Sequence, residues 1–403
     1  MLKRIAVTDL RVGMFIDSFC GSWIDHPFWR SKFALNSAKD LQRIVESGMG
    51  ELWIDTSKGL DVLELPAEQP AEAEAAAEIT TAAPAPLSAE PVPFDQELRR
   101  AHNLCREALG AVTEMFGDVR MGKAFEFQRA EELLGNIHDS VSRHPDALIS
   151  LARLKRADEY TYMHSVAVAA LMISLAREMG LEQSMVRDAG LAGLLHDIGK
   201  MKVPQALLDK PGKLTDEEFV TVRQHSLAGY EILRSSGKVS QRVLDVCLHH
   251  HEKVDGSGYP HRLPGDQISL LAKMGAVCDV YDAVTSDRPY KSGWDPAEAI
   301  RKMAEWRGHF DWPVFQAFVK TVGIYPVGSL VRLESGRLAV VIEQNAQSLK
   351  APKVKVFFSA RSKVPIEQIE LDLSHKNATD RIVGRESAQA WGFTHLERLW
   401  TQA

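Results

Sequence analysis

The sequence predicts a mainly α-helical protein: a helical bundle with a small α/β amino-terminal module and a small β-rich carboxy-terminal extension. Three observations support this fold class. Apolar residues recur at helical spacing over residues 95–323, whereas they alternate with polar residues before residue 65 and again after residue 324. A length of 403 residues also exceeds that of one ordinary domain.

Residues 1–65 have the pattern of a small α/β module. Alternating segments at Arg4–Val7, Asp9–Ile16 and Glu51–Asp55 indicate strands, and Ser37–Glu46 has a helical composition. Residues 66–94 follow as a linker that is rich in Ala, Pro, Glu and Thr and contains no Lys or Arg up to Pro93. Such a segment buries too little apolar surface to offset its ordering entropy, so it marks a domain boundary.

Residues 95–323 are expected to form the helical domain. Leu171, Leu175 and Met179 recur every four residues before Gly180, a natural helix end. Thr215–Glu218 is a capping box that is predicted to open the helix carrying His225. Asp295–Glu298 predicts another helix start, with proline at the first helical position.

Residues 324–403 are expected to form the β-rich extension. Ser329–Leu333, Arg337–Ile342 and Lys353–Phe358 alternate as strands do, and Glu334–Gly336 supplies a turn between the first two. These segments predict a small antiparallel sheet or open barrel, followed by a helical tail that ends near Trp400.

Composition excludes several classes of protein. A net charge of −6 argues against nucleic acid as a bulk partner. No apolar run approaches the roughly 20 residues that a membrane span needs. None of the four cysteines forms a CxxC pair, which favours free thiols. These features predict a cytoplasmic protein without a membrane partner, and they leave its oligomeric state open.

A cluster of potential metal ligands stands out in the helical region. His196 and Asp197 end an apolar run, and half of the 14 histidines lie between His164 and His261. Any one of them could be an ordinary core or surface histidine, but together with Asp279 they match ligands contributed by successive helices of a bundle. Mixed imidazole and carboxylate ligands suit Fe, Mn, Zn, Ni or Co. A carboxylate such as Asp197 can bridge two metals.

Positive charge near these residues could bind phosphate. Lys200 follows His196 by four residues and would share its face if the helix continued. Arg288 and Lys291 follow Asp279 by nine and twelve residues. Each of them could equally be a solvated surface charge.

These motifs resemble the HD-GYP family of metal-dependent phosphohydrolases. The resemblance runs from about Tyr160 to Phe318, and the first 65 residues resemble a module that accompanies this domain in some bacterial proteins. The motifs that carry it are His196–Lys200, Lys210–Leu214, His250–Pro260, Asp279–Ala283 and Asp287–Tyr290.

The resemblance implies a cyclic di-GMP phosphodiesterase that forms pGpG and, in some members, GMP. Asp197 would bridge the metals, and Lys200 is hypothesised to help protonate the leaving oxygen. Arg288 and Lys291, together with Lys200, would contact substrate phosphate. The implied metal ligands are His164, His196, Asp197, His225, His250, His251 and Asp279.

Members of the family with three metals carry a glutamate four residues before the first histidine ligand. That position is Tyr160 here, so the resemblance predicts two divalent metals, with Fe or Mn favoured and Zn, Ni or Co as alternatives. His249 is expected to be a neighbour of the ligands, and one of His250 and His251 could orient rather than ligate. The Gly258–Pro260 loop would either contact diguanylate cyclase domains or serve as a structural turn.

Two alternative functions stay open from the sequence. The first is an HD hydrolase of another nucleotide, such as a different cyclic dinucleotide or guanosine tetraphosphate. The second is a non-catalytic signalling or interaction module, against which the complete set of matched ligand positions argues.

Overall fold

The computed structural model describes part of the amino-terminal region and most of the chain that follows the linker. The described residues are 2–7, 10, 12–19, 33–35, 37, 41–42, 44, 51–60, 90, 92–154, 160–210, 212–287, 293–345 and 348–401. The chain divides into two compact units, Met1–Pro86 and Leu87–Ala403.

The amino-terminal unit contains an antiparallel sheet with strand order β1-β4-β2-β3. Its strands are β1 (Leu2–Ala6), β2 (Phe15–Phe19), β3 (Phe33–Ala34) and β4 (Glu51–Asp55). Alternate residues of these strands, among them Ile5, Ile16 and Leu52, bury their side chains in one apolar cluster. The predicted period of two is therefore confirmed.

Two boundaries in this unit differ from the prediction. The strand expected from Asp9 begins only at Phe15, because Val12 and Gly13 form a turn in which Gly13 has φ of +100°. Within the expected helix Ser37–Glu46, Leu41, Gln42 and Ile44 are helical and Ser37 is not. The other residues of that segment lie outside the described part of the chain.

The second unit is predominantly helical, as predicted. Among the described residues, every helix is too short or too polar to cross a membrane. The helices are α1 (Phe94–Arg120), α2 (Phe127–Arg143), α3 (Pro145–Arg153), α4 (Tyr160–Glu178), α5 (Gln183–Leu195), α6 (Gln205–Leu208), α7 (Asp216–Arg223), α8 (His225–Ser235), α9 (Gln241–His249), α10 (Leu270–Thr285), α11 (Pro296–Glu305) and α12 (Trp312–Val322).

Helix α4 lies at the centre of the bundle. Its residues from Val166 to Leu171 are at most 1% exposed, as expected for a helix that is apolar on every side. It packs against α1, α3, α5, α10 and α12. Helix α5 approaches it closely at Gly193, where a Cβ atom would lie 2.8 Å from the backbone of Ala169. This central helix carries His164 in its second turn.

The helix starts were predicted well and one helix end was not. The capping box of Thr215 and Glu218 is present, and Asp295 caps α11 with Pro296 in its first turn. The helix that Thr215 opens does not reach His225, however. Its Gln224 N–H bonds back to Thr221 O, three residues earlier, which closes a tight turn and lets α8 begin at His225.

The carboxy-terminal extension is a five-stranded antiparallel sheet, as predicted, with order β8-β7-β6-β5-β9. The tight turn between its first two strands contains Gly336 at φ +81°. A short helix containing the buried Trp400 ends the described chain. The strands are β5 (Leu330–Leu333), β6 (Arg337–Glu343), β7 (Lys353–Ser359), β8 (Val364–Asp372) and β9 (Ile382–Arg385).

The sheet and the bundle share one apolar core. Leu338, Val340 and Ile342 of β6 belong to the same buried cluster as the bundle residues, and Trp400 joins them. One face of β6 therefore packs on the helices, while Ala339 and Val341 bury their side chains among the other strands of the sheet.

Candidate metal centre

The predicted ligands meet inside the bundle, although they come from five separate segments. Six of the seven are at most 7% exposed, and the side chain of His251 is 23% exposed. They lie on α4 (His164), just after α5 (His196, Asp197), on α8 (His225), just after α9 (His250, His251) and on α10 (Asp279).

The ligands form two groups with Asp197 between them. In the first group, His164 Nε2 and His196 Nε2 lie 3.0 and 3.9 Å from Asp279 Oδ1. In the second group, His225 Nε2 lies 3.4 Å from His250 Nε2 and 3.2 Å from His251 Nε2. Each set of three offers donor atoms within 4.8 Å of one another, so each could hold one metal ion.

Asp197 presents one oxygen to each group. Its Oδ2 lies 3.3 Å from His196 Nε2 and 3.7 Å from His164 Nε2. Its Oδ1 lies 3.4 Å from His225 Nε2 in the other group. This arrangement matches a carboxylate that bridges two cations.

The outer nitrogens of these imidazoles are engaged, which turns the inner nitrogens towards the centre. The Nδ1 atoms of His196 and His225 lie 2.8 and 2.7 Å from the carbonyl oxygens of Gly193 and Val222. His250 Nδ1 lies 3.0 Å from Cys247 O. An N–H that donates to a carbonyl fixes the tautomer in which Nε2 is the free donor atom for a metal.

His164 is oriented by a carboxylate, Asp282, that is not among the predicted site residues. Its Nδ1 lies 2.6 Å from Asp282 Oδ2, and Asp282 is 2% exposed. Carboxylate–histidine pairs of this kind commonly support metal sites. The signal was present in the sequence, because Asp282 follows Asp279 by three residues and so shares its face of α10.

Two buried polar atoms at the centre of the cluster, His196 Nε2 and Asp197 Oδ1, have no hydrogen-bond partner among the described residues. Buried polar atoms are normally satisfied, since an unpaired one costs about 1–3 kcal/mol. Metal coordination would satisfy both, so the residues present fit a metal.

For His250, His251 and Asp197, the electrostatic environment favours the protonation states that bind metal. Burial lowers the pKa of His250 to about 3 and also lowers the pKa of His251. Burial alone would raise the pKa of Asp197, but Lys200 and then His196 hold it well below its usual range. At neutral pH these three residues are therefore neutral imidazoles and a carboxylate.

Lys200 lies beside the cluster, but not on a continued α-helix as predicted. Helix α5 ends at Leu195, and a short 3-10 helix (Ile198–Lys202) replaces the α-helix that would have aligned Lys200 with His196. The ammonium group instead lies 2.5 Å from Asp197 Oδ2. The 3-10 helix packs tightly on α8, because a Cβ atom on Gly199 would overlap the His225 carbonyl oxygen.

The loop after His251 is held by a buried carboxylate. Glu252 is 2% exposed and accepts hydrogen bonds of 2.7–3.1 Å from three successive backbone N–H groups, of His261, Arg262 and Leu263. Within this loop, the Tyr259 ring lies 4.7 Å from the His251 ring. This ring contact supports the structural role considered for Gly258–Pro260. Contact of the loop with diguanylate cyclase domains stays a prediction.

The remaining predicted residues fall outside the cluster or outside the described chain. His249 points to Asp245 and His261, at 2.7 and 2.9 Å, as expected of a neighbour. Arg288 and Lys291 lie outside the described residues, as does the side chain of Tyr160.

A bundle that buries such a set of imidazoles and carboxylates is typical of metal-dependent enzymes. Residues 137–314 match the HD domain family, and residues 2–130 match a domain of unknown function, DUF3391.

A cyclic di-GMP phosphodiesterase of Pseudomonas aeruginosa is 61% identical to this chain, covering 100% of it and 96% of that protein. The cyclic di-GMP phosphodiesterase response regulator RpfG of Xanthomonas campestris is 37% identical over 44% of this chain and 48% of its own length. The 3'3'-cGAMP-specific phosphodiesterase 1 of Vibrio cholerae is 37% identical over 40% of this chain and 38% of that protein. The chain belongs to the HD-GYP family of HD-domain phosphodiesterases.

Proposed function

We propose that this protein hydrolyses cyclic di-GMP to the linear dinucleotide pGpG with the help of two divalent metal ions. The substrate is supported by the Pseudomonas aeruginosa relative, which is named a cyclic di-GMP phosphodiesterase and aligns over the whole chain. The proposed metal ligands are His164, His196, Asp197, His225, His250, His251 and Asp279.

One observation carries the two-metal part of the proposal. Asp197 Oδ1 and Oδ2 face different histidine groups, and each group offers enough donors for one ion. Tyr160 stands where a third metal would require a carboxylate, which supports two ions rather than three. The mixture of imidazole and carboxylate suits Fe, Mn, Zn, Ni or Co. Among these, the family resemblance favours Fe or Mn.

The chemistry follows from the charges around the cluster. Metals bound there would supply Lewis acidity to the phosphate and lower the pKa of an attacking water. Asp197 would hold both ions in place. Lys200, whose side chain is 23% exposed beside Asp197, would stabilise negative charge on the phosphate and help protonate the leaving oxygen. Arg288 and Lys291 are proposed to bind phosphate from their match to the family motif.

A second candidate function is hydrolysis of another cyclic dinucleotide. It is favoured by the likeness to a 3'3'-cGAMP-specific phosphodiesterase of Vibrio cholerae. The two functions need the same metal chemistry and differ only in which bases the surroundings of the cluster accept.

Turnover of cyclic di-GMP by protein loaded anaerobically with Fe(II) or Mn(II) tests the proposal. Metal content is determined on the same samples, and 3'3'-cyclic GMP–AMP is assayed in parallel. We expect about two metals per chain. Asp197→Ala should lose at least about 1000-fold in kcat, because the bridging charge is removed.

Lys200→Ala is compared with Lys202→Ala, a matched control on the exposed side of the same 3-10 helix. Unchanged turnover in Lys200→Ala would remove Lys200 from the mechanism. Full metal occupancy without turnover of cyclic di-GMP would move the assignment to another nucleotide. Protein that binds no metal under any condition would favour a non-catalytic module.

A further inference from the structure

An arginine lies over two aromatic rings at the edge of the metal centre. The guanidinium carbon of Arg223, the last residue of α7, is 4.3 Å from the centre of the Phe219 ring and 4.9 Å from that of the Tyr259 ring. The two rings meet edge to face, with centroids 6.5 Å apart. Contacts of this kind hold a guanidinium in one orientation.

This group of three residues, Phe219, Arg223 and Tyr259, adjoins the ligands directly. The Tyr259 ring lies 4.7 Å from the His251 ring and 6.5 Å from the His225 ring. One aromatic ring therefore separates Arg223 from the metal cluster. A phosphate at the metals would meet Lys200 beside Asp197, whereas Arg223 is placed to meet a more distant part of the same substrate.

Arg223 and Phe219 are open to a ligand. Both are exposed, with Phe219 41% exposed although it is a large apolar side chain. Within the described part of the chain, Arg223 makes ring contacts but neither a salt bridge nor a hydrogen bond. Its planar set of N–H donors is thus available in a protein of net charge −6.

The donor geometry favours one purine over the other. Guanine presents two acceptors side by side, O6 and N7, and arginine binds this pair with two parallel hydrogen bonds. Adenine presents an acceptor and an amino donor at the same edge, so one of those bonds is lost. The exposed Phe219 ring offers a stacking surface that suits any base.

We propose that Arg223, supported by Phe219 and Tyr259, is a specificity-determining residue that recognises the O6/N7 edge of a guanine in the cyclic dinucleotide. This inference rests on the proposed function and deepens it, because it assigns part of the discrimination between guanine and adenine dinucleotides to one side chain. The residue acts in recognition and takes no part in the chemical step.

The test compares substrates that share the phosphodiester and differ in their bases. Values of kcat/KM are measured for cyclic di-GMP, 3'3'-cyclic GMP–AMP, cyclic di-AMP and bis(p-nitrophenyl) phosphate, which has no base. The variants are Arg223→Ala and Arg223→Lys, which keeps the charge but loses the paired donors. Arg234→Ala is the matched control, since Arg234 is an exposed arginine 5.6 Å from the Tyr230 ring on α8.

We expect Arg223→Ala to lose on the order of 10- to 100-fold in kcat/KM for cyclic di-GMP. The loss should be smaller for cyclic di-AMP and absent for bis(p-nitrophenyl) phosphate. Arg223→Lys should recover only part of the loss, and Arg234→Ala should match the wild type with all four substrates.

Other outcomes overturn the inference. Equal losses for all three cyclic dinucleotides would make Arg223 a phosphate contact, and a loss extending to bis(p-nitrophenyl) phosphate would make its role structural. No loss with any substrate would remove it from recognition. Failure of the proposed function is seen separately, in the wild-type protein: turnover of bis(p-nitrophenyl) phosphate but of no cyclic dinucleotide would reject both the substrate and the role of Arg223.

Discussion

Two clusters of buried charge in the helical unit differ in how their polar atoms are satisfied. On α1, the fully buried Glu97 accepts hydrogen bonds from Ser140 Oγ at 2.7 Å and from Arg143 Nε and Nη2 at 2.5 and 3.0 Å. In the candidate metal centre, Asp197 Oδ1 and His196 Nε2 are also buried, but they have no hydrogen-bond partner in the part of the chain that the structure describes.

The difference distinguishes a structural cluster from the one that we propose to be functional. Glu97 has its partners within the chain, so its charge is compensated as soon as α1 packs on α2. The candidate metal centre holds two buried atoms without a hydrogen-bond partner among the described residues, so we expect its charge to be compensated by metal binding. Removing a partner from the Glu97 cluster should lower the free energy of unfolding. The stability contributed by the candidate metal centre should instead depend on bound metal.

The largest effect on stability is expected for Glu97→Ala. It would leave the partly buried Arg143 without its carboxylate and remove a fully buried charge, and we expect the free energy of unfolding to fall by about 3 kcal/mol. Urea unfolding of metal-loaded protein measures this, with Glu107→Ala on the exposed face of α1 as control. The kcat of the folded variant should not change, and a variant as stable as wild type would show that the two clusters do not differ in this way.

Metal removal should produce the next largest effect. Metal held at 100 times its Kd stabilises a folded site by about 2.7 kcal/mol, and chelation removes that contribution. Thermal unfolding with and without chelator should show the shift in wild type and in Glu97→Ala, but not in Asp197→Ala. If the Tm of the wild-type protein did not change on chelation, the cluster would be complete without metal.

A smaller effect is expected when the hydrogen bond behind a ligand is weakened. Asp282→Asn should reduce metal affinity by about 10- to 100-fold, because His164 loses the charged partner that orients it. Competition with a chromogenic chelator measures this affinity. Asp245→Asn is the matched control, since Asp245 orients His249 outside the cluster in the same manner. Equal affinities in wild type and Asp282→Asn would remove Asp282 from the support of the site.

Local features of the fold were predictable because local physics produces them. The capping box at Thr215, the proline start of α11 and the turn at Gly336 depend on residues within one turn of each other. The two wrong predictions concern the end of one helix and the position of Lys200, where the chain forms a tight turn or a 3-10 helix in place of a continued α-helix. Helix α7 closes at Gln224 before His225, and the 3-10 helix after Asp197 redirects Lys200.

The candidate site was predictable to a similar extent. The seven proposed ligands were named from their motifs, with the family resemblance supplying their roles. Asp282 was missed although its spacing from Asp279 pointed to it. Arg223 could not be assigned from spacing, since Tyr259, the ring that ties it to the metal centre, follows 36 residues later on another segment.

The sequence by itself determined the mainly helical class, the strands at both ends and the identity of the ligand candidates. These follow from periodicity and from residue types that only a few chemistries require. The tertiary structure alone decided that Asp197 stands between two histidine groups and that Asp197 Oδ1 and His196 Nε2 are buried without a hydrogen-bond partner among the described residues. Such relations join side chains from five segments, and their distances depend on how the helices pack around α4, which no short-range pattern specifies.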